Sequence, residues 1–212
     1  ALRGAAERAA ALGSHEQALR FLDQALEVTV ETADRAELHE RALTSASQGL
    51  SPDVVMDHAE ALLDVRREIG DRAGIAVALA RHALALRQWR GEPDRAIEEL
   101  LPAWEEYKDL EETPAGVALM SALSAAYAGL DRPVEAMTWI ERLLPIAERL
   151  DLLDPLVGAL IHRGHLLSEL GRPREGLLLE RGAHGLAVAN DLRDRERGGR
   201  TRERIGVPGS RC

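Results

Sequence analysis

Three side chains in the C-terminal third have the types and spacing to hold a metal ion. His162, His165 and Glu169 fall at i, i+3 and i+7, one face of a helix, and two imidazoles with a carboxylate are a zinc donor set. Such triplets recur by chance along helices. The wall of a solvated groove is the reading taken, and no metal or cofactor is assigned. The paired carboxylates Glu98-Glu99, Glu105-Glu106 and Glu111-Glu112 lie in one acidic stretch and read as solvated helix surface. Trp89, Trp104, Tyr107, Tyr127 and Trp139 are spread over several helices and read as core-packing residues that form no cluster, with Trp89 near a helix end available as an exposed anchor.

Enzymatic chemistry finds no foothold beside these. A phosphate-binding loop needs Gly-Lys-Ser/Thr, and the only lysine, Lys108, is followed by Asp109. GxGxxG, GxSxG and HExxH do not occur, and the single cysteine, Cys212, has no positioned base. The expectation is a non-enzyme.

Composition points to a mostly helical protein. Ala, Leu, Arg and Glu dominate and aromatics make up 3% of the 212 residues, so helix formers prevail over strand formers. Apolar stretches are broken by charge before they reach membrane-spanning length, as at Leu152-Leu153-Asp154. One cysteine cannot form an intramolecular disulfide, which fits a reducing, cytoplasmic setting. The net charge is −9, yet the last 20 residues carry seven arginines against Asp194, Glu196 and Glu203, a balance of +4. Residues 1–192 therefore hold −13, and a body so acidic repels phosphate backbones, which argues against nucleic-acid binding by the folded part.

The elements that carry these residues repeat. Gly13-Ser-His-Glu-Gln-Ala18, Gly91-Glu-Pro-Asp-Arg-Ala96, Asp131-Arg-Pro-Val-Glu-Ala136 and Gly171-Arg-Pro-Arg-Glu-Gly176 share a helix stop, a polar or proline cap and a small residue five positions on. With Ala59 as a further copy, the small residues are 41, 37, 40 and 40 apart. Ser51-Pro52, Thr113-Pro114 and Asp154-Pro155 place a cap acceptor before a first-turn proline. Ser14 to Gln17 spells a capping box, and Gly70-Asp71 spells a stop followed by a new cap. The punctuation predicts helices at 1–12, 15–29, 33–48, 52–69, 72–89, 93–110, 114–129, 133–150, 155–170 and 173–189. The fold expected is all-α, a solenoid of about five antiparallel helix pairs over residues 1–190. Residues 191–212 are too charged and too poor in apolar side chains to order themselves, so an arginine-rich disordered tail is expected.

These residues resemble the tetratricopeptide repeat. The signature of small residues in helix A and, twelve positions later, in helix B runs through Leu160, Gly164, Leu167, Gly171, Gly176 and Ala183, and again through Ser124, Tyr127, Ala136 and Ile140. The period is longer than the usual ~34 residues, and the second repeat, around Ala36 to Gly70, matches poorly. In this the chain is similar to the long-helix repeats of bacterial signalling ATPases, cyclase-linked proteins and LuxR-type or AfsR-like regulators.

The resemblance implies that A helices line a concave groove that binds a peptide or partner helix. Its inward positions fall on Arg81, His82, Ala85 and Gln88, on Ser121, Ala122 and Ala125, and on His162, His165, Ser168 and Glu169. Arg81, His82 and Gln88 are expected to face solvent. The function this implies is a non-catalytic protein-interaction scaffold. The alternative is a regulatory or sensory segment of a larger bacterial ATPase, cyclase or transcription regulator whose catalytic or DNA-binding domain lies outside these residues. The chain starts in helical sequence without an initiator Met and reads as a piece of something longer. Leu177, Leu178, Leu179, Leu186 and Val188 on the last helix predict an uncapped repeat end prone to self-association.

Overall fold

The fold is given by a computed structural model that describes residues 1–48 and 51–190. Among the described residues there are ten α-helices and no strand: α1 (Leu2–Ala11), α2 (His15–Val28), α3 (Thr32–Ala46), α4 (Pro52–Ile69), α5 (Arg72–Ala85), α6 (Pro93–Glu106), α7 (Pro114–Gly129), α8 (Pro133–Arg149), α9 (Leu153–Glu169) and α10 (Pro173–Ala189). None of the described helices is long and apolar enough to cross a membrane. The expected disorder of 191–212 concerns residues outside this description.

Left-handed backbone at Gly13, Gly70, Gly91 and Gly171 turns the chain between helices, and Asp131 and Asp151 take the same conformation at φ 54°. Glycine adopts it without a Cβ clash, and aspartate is among the few other residues that tolerate it. Asp71 caps α5 by accepting from the Gly74 N–H at 3.0 Å, and Thr113 accepts weakly from Gly116 at 3.4 Å. Other caps depart from expectation. Ser14 and Ser51 hold the cap positions without a side-chain bond, so no capping box forms on Ser14. Asp154-Pro155 is not a cap at all. The turn at Asp151 lets α9 begin at Leu153, which places Pro155 in the first turn, where a missing N–H breaks no helical bond. The helix predicted over 72–89 also ends early, its last turn widening into a five-residue π-helix at Leu86–Arg90.

Each helix packs on its neighbours in sequence, which makes five antiparallel pairs. Helix α5 also packs directly on α7, and α7 more lightly on α9. Helices α3 and α5 make little direct contact. Small residues set the crossings: a Cβ at Gly176 would collide with the Gly164 carbonyl oxygen, so α9 and α10 approach backbone to backbone. Ser124 in α7 donates to the Ala136 carbonyl of α8 at 2.8 Å at the equivalent crossing one pair earlier.

The apolar interior is divided. A large cluster runs from α3 to α9, with Leu86, Leu100, Leu119, Met120, Leu123 and Leu143 almost fully buried. A second, smaller cluster joins α1, α2 and one face of α3 through Ala6, Leu22, Leu38 and Ala42. Val157 and Ala183 form a third between α9 and α10.

Candidate functional site

A groove of about 330 Å³ opens where α4, the first half of α5 and residues 110–115 at the start of α7 meet, with α3 contributing Glu40. Leu62, Val77, Ala78, Leu110 and Pro114 give it an apolar lining. Glu40 of α3 stands at its rim and holds two guanidiniums, Arg81 of α5 at 3.0 Å and Arg66 of α4 at 3.4 Å. Arg66 also reaches Asp71 at 3.2 Å, so charge bridges a gap that apolar packing leaves open.

The residues expected to line this face divide into three groups. Arg81 on α5 is partly exposed, and Gln88 in the π-helix and Ser121 on α7 are exposed. Val77 and Arg81, four residues apart, share one stripe of α5, whereas Gln88 lies beyond its end in the π-helix, where the helical periodicity changes. Ala85, Ala122 and Ala125 are buried at 5%, 1% and 7% exposure, so they pack helix on helix and offer a ligand almost no surface. His82 departs from expectation: it is buried and turned to the opposite face, where Nδ1 lies 2.8 Å from Glu99 of α6. The cause is the width of the α5 stripe. One residue beyond Arg81 the helix has rotated ~100°, enough to carry the imidazole under α6.

The C-terminal group separates as well. His162 is half-buried with Nε2 3.4 Å from Ser124 Oγ of α7, and burial followed by the nearby Arg87 charge holds its pKa below the usual imidazole value. Exposed His165 turns to α10, 3.5 Å from Glu180. Ser168 Oγ donates to the Gly164 carbonyl at 3.1 Å beside Gly176. Glu169 is exposed at the helix end. Thus His162 and His165 serve two different neighbours, and no metal-binding group of three or more such side chains forms among the described residues.

Sequence reading also missed a cluster. Trp104 and Trp139, expected to be separate, meet edge to face at 5.1 Å between α6 and α8, and Arg142 lies 4.8 Å over the Trp104 ring. Glu111 grips Arg142 through both carboxylate oxygens, which lowers the Glu111 pKa. The 35-residue separation of the tryptophans hides this pairing, because it needs the repeat stacking to exist first.

Either side of the aromatic cluster, the outer face keeps open grooves between alternate B helices. One of about 540 Å³ lies between α8 and α10, with Leu144, Leu156, Leu160 and Leu186 along it. The other, of about 600 Å³ between α4 and α6, is walled by Glu60, Asp64, Glu98, Glu99 and Glu106, with Arg67 and Arg95 the basic residues. A buried pair completes the inventory: His39 Nδ1 and His58 Nδ1 are 3.3 Å apart between α3 and α4, with Asp23 3.4 Å from the far nitrogen of His58.

No family model matches the sequence, and no curated protein does. Solved structures do. A kinesin light chain from Podosopora anserina with nearly identical TPR-like repeats, in its Q17M form, superposes with a TM-score of 0.63 at 14% identity, covering 90% of this chain and 95% of that one. The form without that substitution gives 0.61 at 14% identity, over 89% and 94%. BtubC (BKLC) from P. vanneervenii gives 0.61 at 17% identity, over 95% of this chain and 82% of that one. The fold is therefore a tetratricopeptide-like solenoid.

Proposed function

We propose that this chain is a non-catalytic interaction scaffold whose ligand is a peptide or helix laid along the inner face. The supporting observation is the apolar groove formed by α4, the first half of α5 and the start of α7, rimmed by the Glu40, Arg66 and Arg81 charges. A strip of aliphatic surface between fixed charges suits a segment that presents one apolar side and a few polar contacts. Val77 lines the groove and is its apolar anchor position, Arg81 pairs with Glu40 at its rim, and the exposed Gln88 and Ser121 are the accessible members of the expected set farther along the face. Solenoids present such surfaces because each repeat contributes one stripe to a continuous face. A reducing, cytoplasmic setting and a signalling role belong to this proposal, and they rest on the single cysteine and on the repeat resemblance.

The test is selection of a random-peptide library on the immobilised chain, followed by titration of the selected peptides against variants. Arg81→Ala/Gln88→Ala and Val77→Asp should weaken binding at least tenfold, roughly 1.4 kcal/mol, with the helical dichroism unchanged. Glu98→Gln on the outer face should leave it intact. Peptides that bind all of these equally well would move the site off the inner face.

A further inference from the structure

The outer groove between α4 and α6 has an electrostatic imbalance that the inner face lacks. Of its carboxylates, Glu99 is engaged by His82 at 2.8 Å and Asp64 by Arg67 at 3.5 Å. Arg95 leans away to Glu92 at 2.7 Å. Glu60 and Glu98 are left exposed on facing helices, and neither has a basic side chain within ion-pair distance among the described residues. Beneath them the floor is apolar, formed by Leu63, Leu79 and Pro102. A cleft with aliphatic floor and unneutralised acidic walls fits an extended segment that mixes guanidiniums with aliphatic side chains, since arginine stems cover apolar surface while their heads meet carboxylates.

The chain itself carries such a segment. Arg200, Arg202 and Arg204 alternate along it, followed by Ile205 and Val207. Its last 20 residues hold +4 against the −13 of the remainder. We propose that residues 191–212 dock in the α4–α6 groove of the same chain. Reach does not limit this. Neighbouring helices are ~10 Å apart, so the groove lies on the order of 20–30 Å from the end of α10, while a tail of this length extends up to ~70 Å. Tethering keeps the effective concentration in the millimolar range, which compensates for exposed ion pairs that are individually weak. The docked tail would occupy a face separate from the proposed inner groove, so this inference stands or falls independently of that reading.

Cys212 is the only cysteine, and it supplies the probe. A nitroxide on Cys212 of the full ¹⁵N-labelled chain should broaden amides around Glu60 and Glu98 at about 50 mM salt, and most of that broadening should vanish at about 0.5 M, where the screening length falls below ~5 Å. Glu60→Gln/Glu98→Gln should abolish it at low salt, and so should Arg200→Gln/Arg202→Gln/Arg204→Gln, which leaves the helical body untouched. Broadening confined to α9 and α10, or unchanged by the groove variant, would overturn the proposal. Broadening around Glu60 and Glu98 in label-free ¹⁵N chains mixed with spin-labelled ones, persisting in the Leu178→Glu background, would also overturn it, because the occupant would then be a second copy.

Discussion

At the scale of single residues, the buried His39–His58 pair makes stability depend on pH. Burial pushes the His39 imidazole from 6.5 down to about 4, with the adjacent His58 acting in the same direction, and burial also lowers His58 although Asp23 opposes it. The folded-state values lie below the unfolded ones, so between them the unfolded chain binds more protons and folding weakens as pH falls. The window opens near pH 6.5 and for His39 closes near 4. Each pKa unit corresponds to ~1.4 kcal/mol, so His39 alone accounts for up to ~3 kcal/mol. Thermal melts should drop steeply between pH 7 and 4.5. In His39→Leu the drop should shrink, and a melt curve equally pH-sensitive in that variant would assign the effect elsewhere.

At the scale of helices, the same residue type has opposite effects at two positions of α10. Gly176 is pressed against the Gly164 carbonyl, whereas a Cβ at Gly182 would meet nothing within 4 Å. Gly176→Ala should force α9 and α10 apart and cost ~1–3 kcal/mol. Gly182→Ala should stabilise by ~0.5–1 kcal/mol, because it removes the backbone entropy of a mid-helix glycine. Urea titrations of the two variants would distinguish them, and equal midpoints would mean the close crossing is absent. Helix positions were legible in the sequence because left-handed stops and first-turn prolines are local: nine of the ten expected helices start within a residue or so of those observed, and α9 starts two residues early. The groove was less legible. The repeat resemblance nominated Arg81 and His82 together, but it could not report that one further residue would turn His82 beneath α6, nor that Glu40 and Arg66 would come to the rim of the groove. Those depend on interhelical distances, and the second repeat, where the groove opens, is the one whose small-residue pattern is weakest.

At the scale of the whole molecule, α10 leaves apolar surface that the other described residues do not cover. Leu177, Leu178 and Val188 are 47%, 68% and 55% exposed, while Leu179 packs inward on the core. Exposed aliphatic side chains along one helix favour association. Residues 1–212 should sediment with an average mass that rises with concentration and should bind a hydrophobic dye, and Leu178→Glu should reduce both. A monomer at every concentration, without dye binding, would contradict this.

The partition of the interior into one large cluster and two small terminal ones has a consequence for cooperativity. Each end of the stack is tied to the middle by few shared side chains, with α3 divided between the first cluster and the central one. Stacked repeats unfold as coupled neighbours rather than as one unit, and weak coupling lets the ends open on their own. Native-state hydrogen exchange should therefore show α1, α2 and α10 exchanging through openings far smaller than global unfolding, while α5 to α8 exchange last. Chemical denaturation followed by tryptophan fluorescence, whose reporters Trp89, Trp104 and Trp139 all sit in that central block, should then lag behind the loss of helical dichroism.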